Sequence, residues 1–157
     1  MNQFRHSEDS ILSPIAKFEF PREVRLVDTD STGFAHFSSY VRMMEEAEYA
    51  FLRSRGLGVV LRDQKGTMGF PRLKAEIHIE RPLVYQEKVI VRLDLIGNDG
   101  KSLEYDFEIV DETNETAVTG SFQAACCRFP DGELPFAILI PENVCDKLNS
   151  KEANVQV

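Results

Sequence analysis

The segment Gly97-Asn98-Asp99-Gly100 constrains this chain most, because it joins two runs whose apolar residues alternate with polar ones. Before it, Val89, Val91, Leu93 and Leu95 alternate with Lys88, Arg92 and Asp94. After it, Leu103, Tyr105, Phe107 and Ile109 alternate with Ser102, Glu104, Asp106 and Glu108. Such alternation buries one face of a strand and wets the other, and Asn-Asp between glycines suits a tight reversal. A parallel crossover needs roughly a dozen residues or more, so the two runs must be antiparallel neighbours. The polar stretch 111–115 reverses the chain again into a last run, 116–129, rich in small residues. An earlier run, Leu73, Ala75, Ile77 and Ile79 against Lys74, Glu76, His78 and Glu80, is stopped by Pro82.

Residues 39–55 contain neither Pro nor Gly, and Tyr40, Met43, Met44, Ala47, Ala50 and Phe51 recur at helical spacing. Arg42, Glu45, Glu48 and Arg53 mark the other faces of this helix, and Gly56 stops it. The run Val24, Arg25, Leu26, Val27 alternates weakly and is read as a further strand. One long helix and five strands give an α+β domain, with an antiparallel five-stranded sheet curled around the helix. At 157 residues, 43% hydrophobic with eleven Phe, the chain can bury one core. The expected domain is 17–148, with 1–16 and 149–157 as flexible termini. One helix leaves much of a sheet uncovered, which predicts a homo-oligomer.

A net charge of −8 argues against nucleic acid or an anionic membrane surface as partner, since both require a concentrated basic face. No apolar run is long enough to span a bilayer and residues 1–14 lack the apolar core of a signal peptide, so a cytoplasmic location is expected. Cys126, Cys127 and Cys145 have neither a disulfide framework nor metal-ligand spacing. They read as reduced thiols, with one of the adjacent pair facing the core and the other outward. No metal or redox cofactor is implied.

Residues 28–40 carry the chemistry. Asp28 and Asp30 precede Gly33, which can take the positive φ of a reversal, and Ser38 or Ser39 can cap the helix that follows. A helix start carries unpaired N–H groups and about half a positive charge, able to polarise a carbonyl beside a carboxylate. The structural alternative is a turn carboxylate that only accepts backbone N–H bonds. Two other readings of these letters are weaker. The acid pair resembles that of haloacid-dehalogenase-like phosphatases, which need a parallel sheet that the hairpins exclude. It also imitates the opening of a calcium loop, but the twelfth position is Ser39 where a bidentate Glu is needed.

The order of elements, with VRLVDTDSTGFAHFSSYVRMMEEAEYAFLRSRGL, IHIERPLVYQEKVIVRLDL and CRFPDGELPFAILIPENVCDKL, resembles the hotdog-fold thioesterases of the 4-hydroxybenzoyl-CoA thioesterase-like group. The resemblance covers about residues 18–148 and implies hydrolysis of an acyl-CoA by a homodimer or homotetramer. It assigns Asp30 as the catalytic carboxylate, Gly33 as the turn glycine and the Phe37 backbone N–H as the donor to the thioester carbonyl. Tyr40 and Met44 would border the acyl pocket. Many members have Tyr-His where this chain has His36-Phe37, so the role of His36 at the substrate is displaced by one position. Glu45 is a second candidate, because a related branch of the fold uses a helix glutamate. Arg72, Lys74, Arg81 and Arg128 are candidate contacts for the CoA phosphates. An acyl-carrier-protein thioesterase and a non-catalytic acyl-binding module on the same fold are the alternatives.

Overall fold

The computed structural model describes residues 14–150. Most of both expected flexible termini, 1–13 and 151–157, lies outside the described residues. In chain order the elements are β1 (Ala16–Glu23), a 3-10 turn (Leu26–Asp28), α1 (Phe37–Ser54), β2 (Val60–Asp63), β3 (Gly66–Gly69), β4 (Arg72–Ile79) and β5 (Lys88–Asn98). They continue with β6 (Ser102–Asp111), β7 (Thr116–Ala125), β8 (Cys127–Phe129), β9 (Phe136–Ala137) and α2 (Glu142–Asn149).

The main sheet is five-stranded and antiparallel, in the order β1-β5-β6-β7-β4. The short turns make β5, β6 and β7 consecutive neighbours, with Leu93 opposite Phe107 and Phe107 opposite Gly120. α1 lies across this sheet and buries Tyr40, Met43, Met44, Ala47, Phe51 and Leu52. Gly120 is what lets it approach so closely. A Cβ there would sit 2.6 Å from the Met44 Cε and 2.7 Å from the Glu76 carbonyl oxygen.

The structure corrects the expected architecture in four places. The run 24–27 is not a strand: β1 lies earlier, pairing Phe18 with Leu93 and Phe20 with Val91 and taking in Ala16 from the expected tail. Pro21 fits there because β1 is an edge strand that needs no N–H on its open side. Beyond it the chain leaves the sheet, and Leu26 and Val27 stand exposed. The last run divides at Cys126, β7 staying in the main sheet and β8 crossing to a second sheet of order β2-β3-β8-β9. A second helix, α2, buries Val144 and Leu148 one turn apart. Finally, Cys126 and Cys127 are both buried free thiols, since β3 and β9 flank Cys127 on either side. Among the described residues no helix is long and apolar enough to cross a membrane.

Candidate active site

Asp28 builds the turn from below. Its side chain is fully buried, and its carboxylate accepts from both terminal nitrogens of Arg22 and from the Arg25 N–H at 2.8 Å. Burial works against its ionisation, but the Arg22 hydrogen bonds, the Arg25 N–H and the charges of Arg22 and Arg42 outweigh it and hold its pKa below the ordinary value. The Asp28 carbonyl accepts the His36 N–H and the Ser39 hydroxyl, each at 2.7 Å. Asp28 therefore fastens β1, the turn and the start of α1 together.

Above it, 29–35 form a tight hairpin closed by pairing between Thr29 and Ala35. Asp30 donates its N–H to the Phe34 carbonyl at 2.9 Å, and Gly33 reverses the chain at φ +84°. The hairpin is tied to the loop before β5, where Ala35 donates to the Leu83 carbonyl at 2.8 Å and Phe34 pairs with Val84. Asp30 is exposed at its tip. Its carboxylate accepts the Thr32 hydroxyl and the Thr32 N–H, the latter at 2.8 Å. These bonds, the hydroxyl's first, hold its pKa below the ordinary carboxylate value, so it is ionised at neutral pH.

His36 caps α1: its Nδ1 accepts the Ser38 N–H at 3.2 Å and meets the Ser38 hydroxyl at 2.8 Å. The cap is thus the histidine, in place of Ser38 or Ser39. Phe37 follows as the first helical residue, 62% exposed, and among the described residues its N–H has no hydrogen-bond acceptor. The hairpin carries Asp30 and Gly33, and His36 and the Phe37 N–H follow it at the helix start. Tyr40 and Met44 lie below in the core, where the Tyr40 hydroxyl accepts the Leu83 N–H at 3.1 Å and Met44 packs on Gly120.

Glu45 belongs to a second cluster two turns along α1. It accepts from the Tyr49 hydroxyl and lies 3.3 Å from Arg72 Nη1. Glu48, expected on an outer face, is buried and ion-paired with Arg72. Burial raises its pKa to about 7 against the attraction of Arg72. Beside the pair is a cavity of about 280 Å³ lined by Glu48, Tyr49, Leu52, Met68, Phe129 and other residues of β2 and β3. Sequence reasoning missed Glu48 because its polarity argued for solvent; the signal was its spacing of four from Met44 and Leu52. A larger open depression, about 720 Å³, lies on the sheet around Glu76, Asp106 and Ser121 and shares no residue with the turn.

The four basic candidates for phosphate contacts are all engaged within the chain. Arg72 meets Glu45 and Glu48, Lys74 meets Glu76, Arg81 meets Glu87 and Asp111, and Arg128 grips Asp63. Among the described residues no group of three His, Cys, Asp or Glu side chains is placed to hold a metal ion.

This architecture is shared with known proteins. The crystal structure of a 1,4-dihydroxy-2-naphthoyl-CoA thioesterase from Synechocystis superposes with a TM-score of 0.73 at 22% identity, over 85% of this chain and 96% of that one. The fold is the hotdog that the resemblance implied. A 1,4-dihydroxy-2-naphthoyl-CoA hydrolase of Rippkaea orientalis is 26% identical over 91 residues, 58% of this chain and 66% of its own. One from Synechococcus elongatus is 28% identical over 96 residues, 58% of this chain and 69% of its own. The chain thus spans about two thirds of the length of these curated relatives. With residues 24–148 matched by its family model, the chain belongs to the thioesterase-like superfamily.

Proposed function

We propose that this chain hydrolyses an acyl-CoA thioester to a free carboxylic acid and CoA. The observation that carries the reading is the Phe37 N–H, which opens α1 without an acceptor among the described residues, beside a hairpin that presents the ionised Asp30. A thioester oxygen bound there is polarised by that N–H and by the positive end of the helix. Asp30 then acts in one of two ways. It attacks the carbonyl carbon to form a mixed anhydride that water opens, or it takes the proton of a water that attacks the carbon itself. In both, the carbon–sulfur bond breaks and CoA leaves as the thiolate, to be protonated by solvent.

A hydroxylated aromatic acyl group is the substrate class we favour, because the relatives are named for a dihydroxynaphthoyl thioester. The reading takes 17–148 as one hotdog domain, working in the cytoplasm as a homodimer or homotetramer. β4 supports the assembly. Among the described residues it pairs with β7 alone, and Leu73, Lys74, Ala75, Glu76 and His78 are exposed along it. Such an edge is stable when covered by another strand. Antiparallel pairing of β4 between two copies would set the 80–87 loop of one, and the Asp30 hairpin tied to it, beside Arg72 of the other.

Thiol release from a panel of aromatic and aliphatic acyl-CoAs and acyl-carrier proteins, with mass in solution by light scattering, tests the reading. Turnover of aromatic CoA esters by a dimer or tetramer is expected. Tight retention of an acyl-CoA without turnover would contradict it and favour a binding module.

A further inference from the structure

The cavity between α1 and the β2–β3 hairpin takes no part in the chemistry of the turn. Leu52, Val59, Val60, Met68, Phe70 and Phe129 make most of its wall apolar. Its other end is built differently. There the Glu48 side chain, 1% exposed, meets Arg72, whose guanidinium also lies 5.4 Å from the Tyr49 ring centre and 4.8 Å from that of Phe122. Two buried polar atoms in this cluster, Arg72 Nε and the Tyr105 hydroxyl, have no hydrogen-bond partner. Well-packed apolar residues would fill such a place at no loss of stability, whereas an ion pair and orphaned donors cost free energy. An apolar slot closed by a few convergent polar groups is the form of a site for a mainly apolar ligand with one polar substituent.

We propose that this cavity receives the ring of an aromatic acyl group, and that Glu48, held by Arg72, selects a ring hydroxyl by accepting its hydrogen bond. The proposal rests on the thioesterase reading and on pairing through β4. Glu48 is eleven positions past Phe37 on α1, about 16 Å at 1.5 Å per residue, which one ring cannot span. The ring in this cavity therefore belongs to a thioester bound at the second copy's hairpin. Glu48 is thus a specificity residue, distinct from the carboxylate that does the chemistry.

The test compares kcat/KM for benzoyl-CoA with that for the 2-, 3- and 4-hydroxybenzoyl-CoAs. Glu48→Gln should reduce the preference for the best hydroxylated ester over benzoyl-CoA about tenfold or more, as loss of a hydrogen bond at a polar selector does. Turnover with that preference intact overturns the proposal and leaves the thioesterase reading standing. Calorimetric binding of the free hydroxybenzoates and benzoate separates the two. Selective binding that needs Glu48, without turnover of any ester, upholds the cavity and rejects the reaction. Val60→Phe, on a strand of the rim where Val60 is 59% exposed, fills the slot without touching the ion pair. It should raise KM for aromatic esters about tenfold more than KM for acetyl-CoA, on the scale of a methylene or more of lost fit; equal effects on both would overturn the placement of the ring.

Discussion

Arg22 holds both carboxylate oxygens of Asp28, with 3% and 0% of their side chains exposed, and through Asp28 it fixes where the Asp30 hairpin begins. Its Nε also reaches Glu46 on α1 at 2.9 Å. Removing one member of a buried pair strands the other charge, at about 3–5 kcal/mol. Asp28→Ala should therefore destabilise the fold by that order in urea titrations at pH 7. The pKa of Asp28 is depressed in the folded state. Its contribution is present above the unfolded value near 3.8 and is lost as pH falls through the folded value. The gap between wild type and variant should shrink below pH 3.8.

Phe37→Pro deletes one hydrogen-bond donor and little else. Proline is tolerated at the first helical position, and His36, at φ −67° and ψ 146°, already has the extended geometry that a residue before proline requires. Loss of an oxyanion donor should lower kcat about 100- to 1000-fold, against a small effect of Phe37→Ala. Equal kcat values in the two variants would remove the N–H from the mechanism.

Gly120→Ala should destabilise the chain by about 1–3 kcal/mol, the range for overpacking a core. The added methyl meets Met44 Cε and the Glu76 carbonyl. Met44 can swing aside, whereas the carbonyl belongs to a paired strand. In a double-mutant cycle with Met44→Ala, which by itself costs about 2–5 kcal/mol as a buried side chain, the Gly120→Ala penalty should therefore be only partly relieved. Denaturant midpoints of the four proteins of the cycle measure it.

Glu48 predicts a pH dependence of opposite sign to that of Asp28. Its folded pKa is near 7 and its ordinary value 4.5, so in that window the folded chain keeps a proton that the unfolded chain has lost. Stability should fall as pH rises from 4.5 to 7, by about 3 kcal/mol, and then level off. Arg72, Glu45 and Tyr105 are the charged or titratable groups acting on it. Glu48→Gln should lack this slope in chemical denaturation across pH 4–8; an unchanged slope would place the titration elsewhere.

The meander and the long helix were legible because each follows from local chemistry: period-two runs joined by short polar turns, and an unbroken helical stripe ended by Gly56, whose φ is +70°. What stayed hidden depended on partners distant in sequence. Residues 24–27 look like a strand, yet the place in the sheet is filled by β1, whose Pro21 only an edge position admits. The Lys65 backbone N–H donates to the Asp63 carboxylate at 2.8 Å and Gly66 has φ +110°, making the β2–β3 turn from letters that carry a weak signal. Around the candidate site, the hairpin was readable from Asp30 and Gly33. The burial of Glu48 was not, since it takes Arg72 from β4 to make a carboxylate acceptable there.

The most direct test is thiol release from hydroxylated aromatic acyl-CoAs by wild type and Asp30→Asn, with circular dichroism and mass confirming that both are folded and equally assembled. Because the variant keeps an oxygen that can accept the Thr32 N–H while losing the charge, the hairpin should persist and kcat should drop by about 100-fold or more, the scale of a lost general base. Asp30→Asn turning over at the wild-type rate would contradict the assignment of Asp30 and return the turn carboxylate to a structural role.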